Sequence, residues 1–157
     1  MEELKPKRVS DSKTEQIQII MPQHINGYDR LFGGQLVEWI DVVACVAARR
    51  HSGRNVTTLS IDYLHFKAPA HANETVVLIA RVTYVGRTSM EVRVDTFVES
   101  LSGERKSVNK AYLTIVALDE HEQPVPVPSL ILETDEQKAE WEAGKRRREQ
   151  RKKYKPE

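Results

Sequence analysis

Two acidic residues lie in a segment that is otherwise apolar enough for burial. In the stretch NGYDRLFGGQLVEWID, residues 26–41, a glycine pair precedes an apolar run that contains Glu38 and Asp41. An ionised carboxylate in an apolar setting destabilises the fold unless it is paired or hydrogen-bonded. Asp41 therefore either lies at a helix edge beside a partner such as Arg49, or serves a reaction as general base or nucleophile. For Glu38 the spacing favours a supporting position at the solvent edge.

Gly33 and Gly34 precede this run and could present backbone amides to a substrate. Free amide hydrogens at a helix N-terminus, together with the helix dipole, favour negative charge in front of them. Because glycine lacks a Cβ atom, a carbonyl group can approach the backbone closely, as in an oxyanion hole. The pair also suits a tight turn from loop to helix, and the spacing alone does not separate these interpretations.

The spacing of Gly34 and Asp41 bears on how many chains build one site. These residues are seven positions apart, which is roughly 10 Å along a helix at ~1.5 Å per residue. If both serve one carbonyl group, two helices should lie antiparallel, with Asp41 of one chain facing Gly33 and Asn26 of the other. The hypothesis is a symmetric homodimer with two shared sites.

Hydrophobic periodicity predicts the elements that position these residues. Residues 36–47 leave almost no polar face, which is typical of a helix that other structure wraps, and the helix should end near Ser52 and Gly53. Beyond residue 55 the period changes to two, which indicates antiparallel strands with one covered face. The predicted strands span residues 16–21, 56–66, 76–84, 90–98 and 107–118.

The strand faces predict how helix and sheet combine. Val76, Leu78, Ala80, Val82 and Tyr84 should share one apolar face. A tight two-residue turn at Gly86 and Arg87 should join that strand to the next. Because the apolar face of a sheet needs cover, the sheet should curl around the one long helix, which defines an α+β fold.

Length and composition favour one domain with two flanking segments. For a chain of 157 residues we expect a flexible arm over 1–15, a domain over 16–128 and a charged, helical tail over 129–157. The formal net charge of +1 selects neither nucleic acid nor membrane as partner. A single cysteine excludes an intrachain disulfide, and neither a signal peptide nor a membrane span is recognisable, so we expect a cytoplasmic protein.

Other chemistries lack their sequence signals. The five histidines do not have the spacing of a metal site, so no metal is expected. A Gly-x-Ser-x-Gly elbow, typical of α/β serine hydrolases, is missing from the sequence. Cys45 lies one helical turn beyond Asp41 and is expected in the core rather than as a nucleophile.

Three segments, in the same order along the chain, resemble the acyl-CoA thioesterases of the hotdog fold, specifically the small bacterial acyl-CoA hydrolases. They are MPQHINGYDRLFGGQLVEWID (21–41), VTTLSIDYLHFKAPA (56–70) and VGRTSMEV (85–92). The resemblance covers residues 16–128 and implies an antiparallel sheet around a long helix. It also implies hydrolysis of acyl-CoA to free fatty acid and coenzyme A, in assemblies that are often trimers of dimers, that is, hexamers.

The resemblance further implies site residues. Asn26 and Asp41 match the catalytic pair, contributed by different subunits of a dimer, and Gly33 and Gly34 match the glycines that receive the thioester carbonyl. The segment that contacts coenzyme A matches a turn made of Gly86, Arg87, Thr88 and Ser89. We expect Arg87 to bind a phosphate, because a guanidinium group suits that anion.

The expected reaction is thioester hydrolysis. Amides near Gly33 and Gly34 polarise the carbonyl, and Asn26 orients the substrate or the water. Asp41 then activates the water or attacks directly through an anhydride, and the sequence leaves both routes open. Thiolate is a good leaving group, so a strong general acid is not required and the absence of a histidine partner is tolerable. We expect no cofactor, since coenzyme A is part of the substrate.

Two other functions compete with this one. The first is a hotdog protein that binds and senses acyl-CoA without turnover. The second is a nucleic-acid-associated module acting through the basic tail GKRRREQRKKYK, residues 144–155, although we expect no nucleic-acid partner. Such a tail could contact RNA, acidic lipid or the outer phosphates of coenzyme A, but a charged run of this kind is more often a solvated helix end.

Overall fold

A helix with almost no polar face needs cover along most of its length, and a five-stranded antiparallel sheet provides it on one side. The computed structural model describes residues 3–154. In chain order the elements are β1 (Lys7–Arg8), α1 (Val9–Ser12), β2 (Thr14–Ile19), a 3₁₀ turn (Pro22–His24), α2 (Gly33–Ser52), β3 (Asn55–Phe66), β4 (Thr75–Val85), β5 (Ser89–Glu99), β6 (Arg105–Leu118), β7 (Leu130–Ile131) and α3 (Asp135–Lys153). The sheet order is β2-β4-β5-β6-β3, with all neighbours antiparallel. The predicted α+β hotdog arrangement is therefore confirmed.

Helix α2 supplies the core with side chains that the sheet covers completely. Its buried apolar residues include Leu36, Trp39, Ile40, Val43, Ala44 and Ala47, packed on the inner faces of β4, β5 and β6. Each fully buried Leu or Ile side chain contributes about 1.5–3 kcal/mol. The helix ends as predicted: Gly53 adopts the left-handed conformation with φ 66°, and its N–H donates to the Arg49 carbonyl at 2.8 Å.

One side of α2 remains open within the chain. Val42 is 51% exposed, although the sequence predicted a helix that other structure wraps nearly all round. Glu38 and Arg49 are also exposed on the described structure. The apolar composition of α2 therefore exceeds what one sheet covers, which is typical of a helix that also packs against a second chain.

The β4–β5 connection differs from the predicted hairpin. The N–H of Gly86 donates to the Ser89 carbonyl at 2.8 Å, so the two central turn residues are Arg87 and Thr88 rather than Gly86 and Arg87. The carbonyls of both central residues accept hydrogen bonds from neighbouring segments, from Val127 N–H at 2.9 Å and Ala117 N–H at 3.0 Å. These long-range bonds fix the turn one position later than the local sequence suggested.

A β-bulge breaks the predicted alternation of β4. Val82 pairs with Val92 but Tyr84 pairs with Glu91, so Thr83 is the extra residue. The bulge moves Tyr84 to the outer face of the sheet, where its ring packs on Trp141 of α3 at a centroid distance of 4.8 Å. The prediction that Tyr84 shares the core face is therefore wrong.

The segments before and after the predicted domain take part in its packing. Strands β1 and β7 pair in parallel, Val9 is 6% exposed and Ser12 is fully buried, so residues 7–15 do not form the flexible arm that we predicted. Their polar composition hid this order, because a single buried valine leaves no periodic signal. Residues 1, 2 and 155–157 of the predicted arm and tail lie outside the described residues.

Helix α3 covers the outer face of the sheet, which the sequence had suggested would face water. Glu91 is only 2% exposed and pairs with Arg147 of α3 at 2.7 Å, and its Oε1 accepts a hydrogen bond from Thr83. Glu140 of α3 pairs with Arg81 and Arg93. Alternating charges on β4 and β5 thus mark a helix contact made of ion pairs.

None of the helices within residues 3–154 is long and apolar enough to cross a membrane.

Gly144 is where α3 comes nearest to the sheet, and we expect Gly144→Ala to destabilise the protein. A Cβ atom there would lie 2.8 Å from the Cβ of Tyr84 and 2.8 Å from Oε1 of Glu91. Because a strand Cβ cannot move aside, the helix must shift, and we expect a loss of about 1–3 kcal/mol in the free energy of unfolding, measured by urea denaturation. Helix propensity alone would stabilise the variant by about 1 kcal/mol, so a gain would contradict this packing. Glu149→Ala, at an exposed position of the same helix, is the control.

Candidate active site

Asp41 of α2 is held by a hydroxyl group from the edge strand. Thr58 Oγ1 of β3 donates to Asp41 Oδ1 at 2.6 Å. Asp41 is half-buried, and no ion pair among residues 3–154 includes it, so Arg49 is not its partner. A hydroxyl donor neutralises no charge. The carboxylate is therefore oriented by a neutral partner, at the open side of α2.

Sequence reasoning missed Thr58. In the sequence it is a hydroxyl residue two positions after Val56, and both residues lie on the half-buried face of β3. The contact joins positions 17 apart on two different elements, so no local pattern could show it.

Cys45 completes the surroundings of Asp41. Its Sγ lies 3.4 Å from Thr58 Oγ1 and 3.8 Å from Asp41 Oδ1. Burial raises the pKa of the Cys45 thiol, and the negative charge of Asp41 raises that pKa further. The thiol therefore stays neutral, which agrees with the prediction that it packs rather than attacks.

Glu38 lies at the solvent edge, as its spacing indicated. It is exposed, and Gln35 Nε2 donates to its Oε2 over a long 3.5 Å. Within residues 3–154 it makes no ion pair. Of the two acids in the helix, Asp41 is the one with a fixed orientation.

Asn26 builds the loop before α2 and keeps donors free. Its Oδ1 accepts hydrogen bonds from the backbone N–H of Tyr28 at 2.9 Å and of Arg30 at 3.2 Å. Its own N–H donates to the Arg30 carbonyl at 2.8 Å. The Nδ2 group of Asn26 makes no hydrogen bond within residues 3–154, so it can donate to a substrate.

The structure brings Asn26 and Gly33 together. Both line a cavity of about 400 Å³ whose walls include Leu36, Phe66 and Pro69. Helix α2 begins at Gly33, and its N-cap residue, Phe32, makes no side-chain capping bond. The amide of Gly33 is therefore free to donate into this space.

Gly34 has a different environment from Gly33. It is exposed and does not line the cavity, and a Cβ atom on it would lie 2.6 Å from the Phe32 ring. Its lack of a side chain thus makes room for Phe32. A Cβ on Gly33 would make an ordinary 3.7 Å contact with Phe66.

Asp41 is not part of that cavity. It follows Gly33 by eight positions, roughly 12 Å along the helix at ~1.5 Å per residue. One chain thus contains two separated half-sites: Asn26 with the amides at the start of α2, and Asp41 with Thr58.

The four residues of the turn predicted to contact coenzyme A lie in different environments. Thr88 and Ser89 line a cavity of about 1050 Å³ between β3 and the C-terminal half of α3. Gly86 lies against the side chain of Arg148, since a Cβ there would be 2.8 Å from its Nη1. Arg87 is exposed at the tip of the turn.

Metal-ligating side chains do not cluster in the described part of the chain. Residues 3–154 contain no group of three or more His, Cys, Asp or Glu side chains placed to hold a metal ion. His51 is fully buried with Nε2 2.8 Å from the Pro128 carbonyl, and burial lowers its pKa. That histidine is therefore a neutral core residue.

A curved antiparallel sheet on one long helix, with free amides at the helix start and an oriented aspartate two turns later, defines a hotdog-fold hydrolase. The model of the thioesterase superfamily matches residues 28–102. The uncharacterized acyl-CoA thioester hydrolase YkhA of Bacillus subtilis is 40% identical over 128 residues, which are 81% of this chain and 74% of that protein. The chain belongs to the thioesterase superfamily, and the predicted membership among the hotdog acyl-CoA thioesterases is confirmed.

Solved structures agree with this assignment. A hexameric acyl-CoA thioesterase in its apo form superposes with a TM-score of 0.91 and 37% identity over 96% of this chain and 97% of its own. An acyl-CoA hydrolase from Staphylococcus aureus has been solved in complex with butyryl coenzyme A, coenzyme A and coenzyme A disulfide. It superposes with a TM-score of 0.88 and 33% identity over 93% of this chain and 90% of its own. Alanine variants of the Staphylococcus aureus hydrolase at an aspartate, a threonine and an asparagine have also been solved.

Proposed function

We propose that the protein hydrolyses acyl-CoA thioesters to free fatty acid and coenzyme A at sites that two chains share. The observation that carries this proposal is the separation of the half-sites along α2. Asn26 and the amides near Gly33 can polarise a carbonyl, and Asp41 can activate a nucleophile, but they lie roughly 12 Å apart within one chain. Two antiparallel copies of α2, packed through the open side that carries Val42, bring each Asp41 to the opposite glycines.

Each group then has one task in the reaction. The amides of Gly33 and Gly34 stabilise the oxyanion that develops on the thioester carbonyl, and Nδ2 of Asn26 donates to the substrate or the water. Thr58 fixes Oδ1 of Asp41, which leaves Oδ2 to take a proton from water or to attack the carbonyl. The C–S bond breaks as the tetrahedral intermediate collapses, and coenzyme A leaves as thiolate. On the direct route this leaves a mixed anhydride between the acyl group and Asp41, which water hydrolyses to the free fatty acid.

The Staphylococcus aureus variants support these residue assignments. Their replaced asparagine, aspartate and threonine are separated by 15 and then 17 positions. Asn26, Asp41 and Thr58 have the same two spacings.

The test of this function is thiol release from a panel of acyl-CoAs of two to sixteen carbons, followed with a thiol-reactive dye. We expect thiol release from at least one chain length. The methyl esters of the same acids, followed by titration of released acid, should not be hydrolysed, because methoxide is a poorer leaving group. Binding of acyl-CoA without thiol release would instead support the sensing protein. We further expect a cytoplasmic location and no cofactor requirement.

For the assembly we propose a trimer of dimers. Oligomers are supported by the hexameric relatives, and the sheet offers two separate edges, β2 and β3. Asp41 and Thr58 occupy the β3 side, so that edge belongs to the shared-site dimer. On β2 the polarity is inverted: Ile17 and Ile19 are 58% and 49% exposed, whereas Gln16 and Gln18 are half-buried. Such a strand suits a further contact between copies of the chain.

Charges on the exposed face of β2 should stop assembly at the dimer. We expect the double variant Ile17→Lys and Ile19→Lys to elute as a dimer in light-scattering chromatography, because like charges desolvated in one contact repel. Activity per site should persist, since the β3 edge is untouched. Leu101→Lys, at a fully exposed loop position, is the matched control and should leave the hexamer intact. A hexamer in the double variant would place the contact elsewhere.

A further inference from the structure

Thr58, which orients Asp41, lies at a position where the backbone alone does not fix its side chain. Strand β3 is at the edge of the sheet, and a β-bulge follows Thr58 directly, because Thr58 pairs with Ile115 but Ser60 pairs with Thr114. Rotation about χ1 to another staggered rotamer would place the Thr58 methyl group, instead of its hydroxyl, against Asp41. A further contact is therefore needed to select the hydroxyl rotamer.

Cys45 of α2 makes a contact of this kind with the Thr58 hydroxyl. Its Sγ lies 3.4 Å from Thr58 Oγ1, which is nearer than the 3.8 Å between Sγ and Asp41 Oδ1. The contact joins α2 to β3 beside the bulge. It involves the same oxygen atom that donates to Asp41 at 2.6 Å. The three side chains thus form one connected row.

The number of hydrogen atoms gives this row a direction. A hydroxyl group carries one hydrogen, and an ionised carboxylate only accepts. The hydrogen of Thr58 is therefore used in the 2.6 Å bond to Asp41. Toward Cys45 the Thr58 oxygen can then only accept, so the thiol is the donor in the 3.4 Å contact.

We propose that Cys45 is a positioning residue of the active site, whose S–H group donates to Thr58 Oγ1 and keeps the Thr58 hydroxyl on Oδ1 of Asp41. The proposal rests on the proposed function, because it concerns how the reacting carboxylate is held. Hydrogen bonds in a chain polarise one another, so donation by the thiol also strengthens the bond from Thr58 to Asp41. Oδ2 is then the carboxylate oxygen left for the reaction.

The thiol can serve as this donor because it keeps its proton. Burial raises the pKa of Cys45, and the negative charge of Asp41 raises that pKa further. A thiolate at the same place would repel the carboxylate and would compete with it for the Thr58 hydrogen. The environment that makes Cys45 a poor nucleophile therefore suits it to hydrogen-bond donation.

Three variants separate hydrogen-bond donation from packing. Cys45→Ser keeps a donor, Cys45→Ala is of similar size without one, and Cys45→Val fills the volume without one. In the Ala and Val variants we expect kcat for acyl-CoA hydrolysis to fall about three- to tenfold, with KM within about twofold of wild type. Cys45→Ser should keep kcat within about twofold of wild type. The opposite ranking, with an active Val variant and with Ser and Ala equally impaired, would indicate packing and overturn the proposal.

A double-mutant cycle tests whether Cys45 acts through Thr58. Thr58→Val removes the hydroxyl and keeps the shape of the side chain. Because the thiol then has lost its link to Asp41, adding Cys45→Ala to Thr58→Val should not lower kcat further. Losses that multiply in the double variant would show that the two residues act independently, which contradicts the proposal.

Infrared spectroscopy tests the hydrogen bond without reference to activity. Cys45 is the single cysteine of the chain, so the S–H stretching band of the full-length protein arises from it alone. We expect this band to change frequency in Thr58→Val. An identical band in both proteins would show that the thiol does not donate to Thr58. If the band shifts but the wild type hydrolyses no acyl-CoA, the proposed function fails while the hydrogen bond stands.

Discussion

Asp41→Ala is expected to lower kcat for acyl-CoA hydrolysis by at least about 10³-fold, because it removes the general base or nucleophile from the site. Thr58 Oγ1 donates to Oδ1 of Asp41 at 2.6 Å, so the other carboxylate oxygen has a defined direction toward a reacting carbonyl. Loss of a group that acts in the transition state should reduce kcat and kcat/KM together. Steady-state thiol release, with substrate binding followed separately, measures both.

Glu38→Ala is the matched control for this effect. It removes a carboxylate from the same helix, one turn earlier, where the group is exposed and accepts a long hydrogen bond from Gln35. We expect activity within about twofold of wild type and an unchanged oligomer. Equal losses in the two variants would show that charge on the helix, rather than the oriented carboxylate, supports turnover. Wild-type activity in Asp41→Ala would remove Asp41 from the mechanism.

The second large effect is expected from Asn26. Removing one preorganised donor to a developing oxyanion or to the attacking water typically lowers kcat about 10²–10³-fold. The difficulty is that Oδ1 of Asn26 also holds the loop through the N–H groups of Tyr28 and Arg30. Asn26→Ala loses both the loop contacts and the Nδ2 donor, so its result alone does not separate them.

Asn26→Asp makes that separation. The carboxylate keeps an acceptor for the Tyr28 and Arg30 amides but has no donor, so the loop should stay folded while activity falls as far as in the alanine variant. Thermal unfolding of both variants reports loop integrity, and thiol release reports the donor. Substantial activity in Asn26→Asp would mean that Asn26 serves the loop only.

Periodicity predicted the parts of the fold in which apolar side chains repeat. Helix α2, its Gly53 terminus and four long strands follow from apolar spacing and one glycine. The same method could not find that α3 covers the outer face, because Glu91 and Arg147 pair as charges and each looks solvent-exposed by itself. The Tyr84 bulge was hidden for a related reason: one inserted residue changes the face without changing the composition.

The candidate site was predictable where a residue acts through its own type and spacing. Asn26 and Gly33 line one cavity, and the two-turn separation of Asp41 from the glycines is enough, by sequence spacing alone, to predict a shared site. Thr58 was not predicted, since it comes to hold Asp41 only through a contact between distant elements. Contacts of this kind depend on how β3 packs beside α2, which no local pattern encodes.

The proposed active site combines Asn26 from one chain with Asp41 from the other. The most direct test mixes two inactive variants, Asp41→Ala and Asn26→Ala, by co-expression with different affinity tags and isolation of the mixed assemblies. Each mixed dimer then contains one site with both intact residues and one site with neither. Shared sites predict that a preparation with random pairing regains about a quarter of wild-type activity, and isolated mixed dimers about half. If the mixed dimers stay as inactive as the parents, both residues act within one chain, and the shared-site account is wrong.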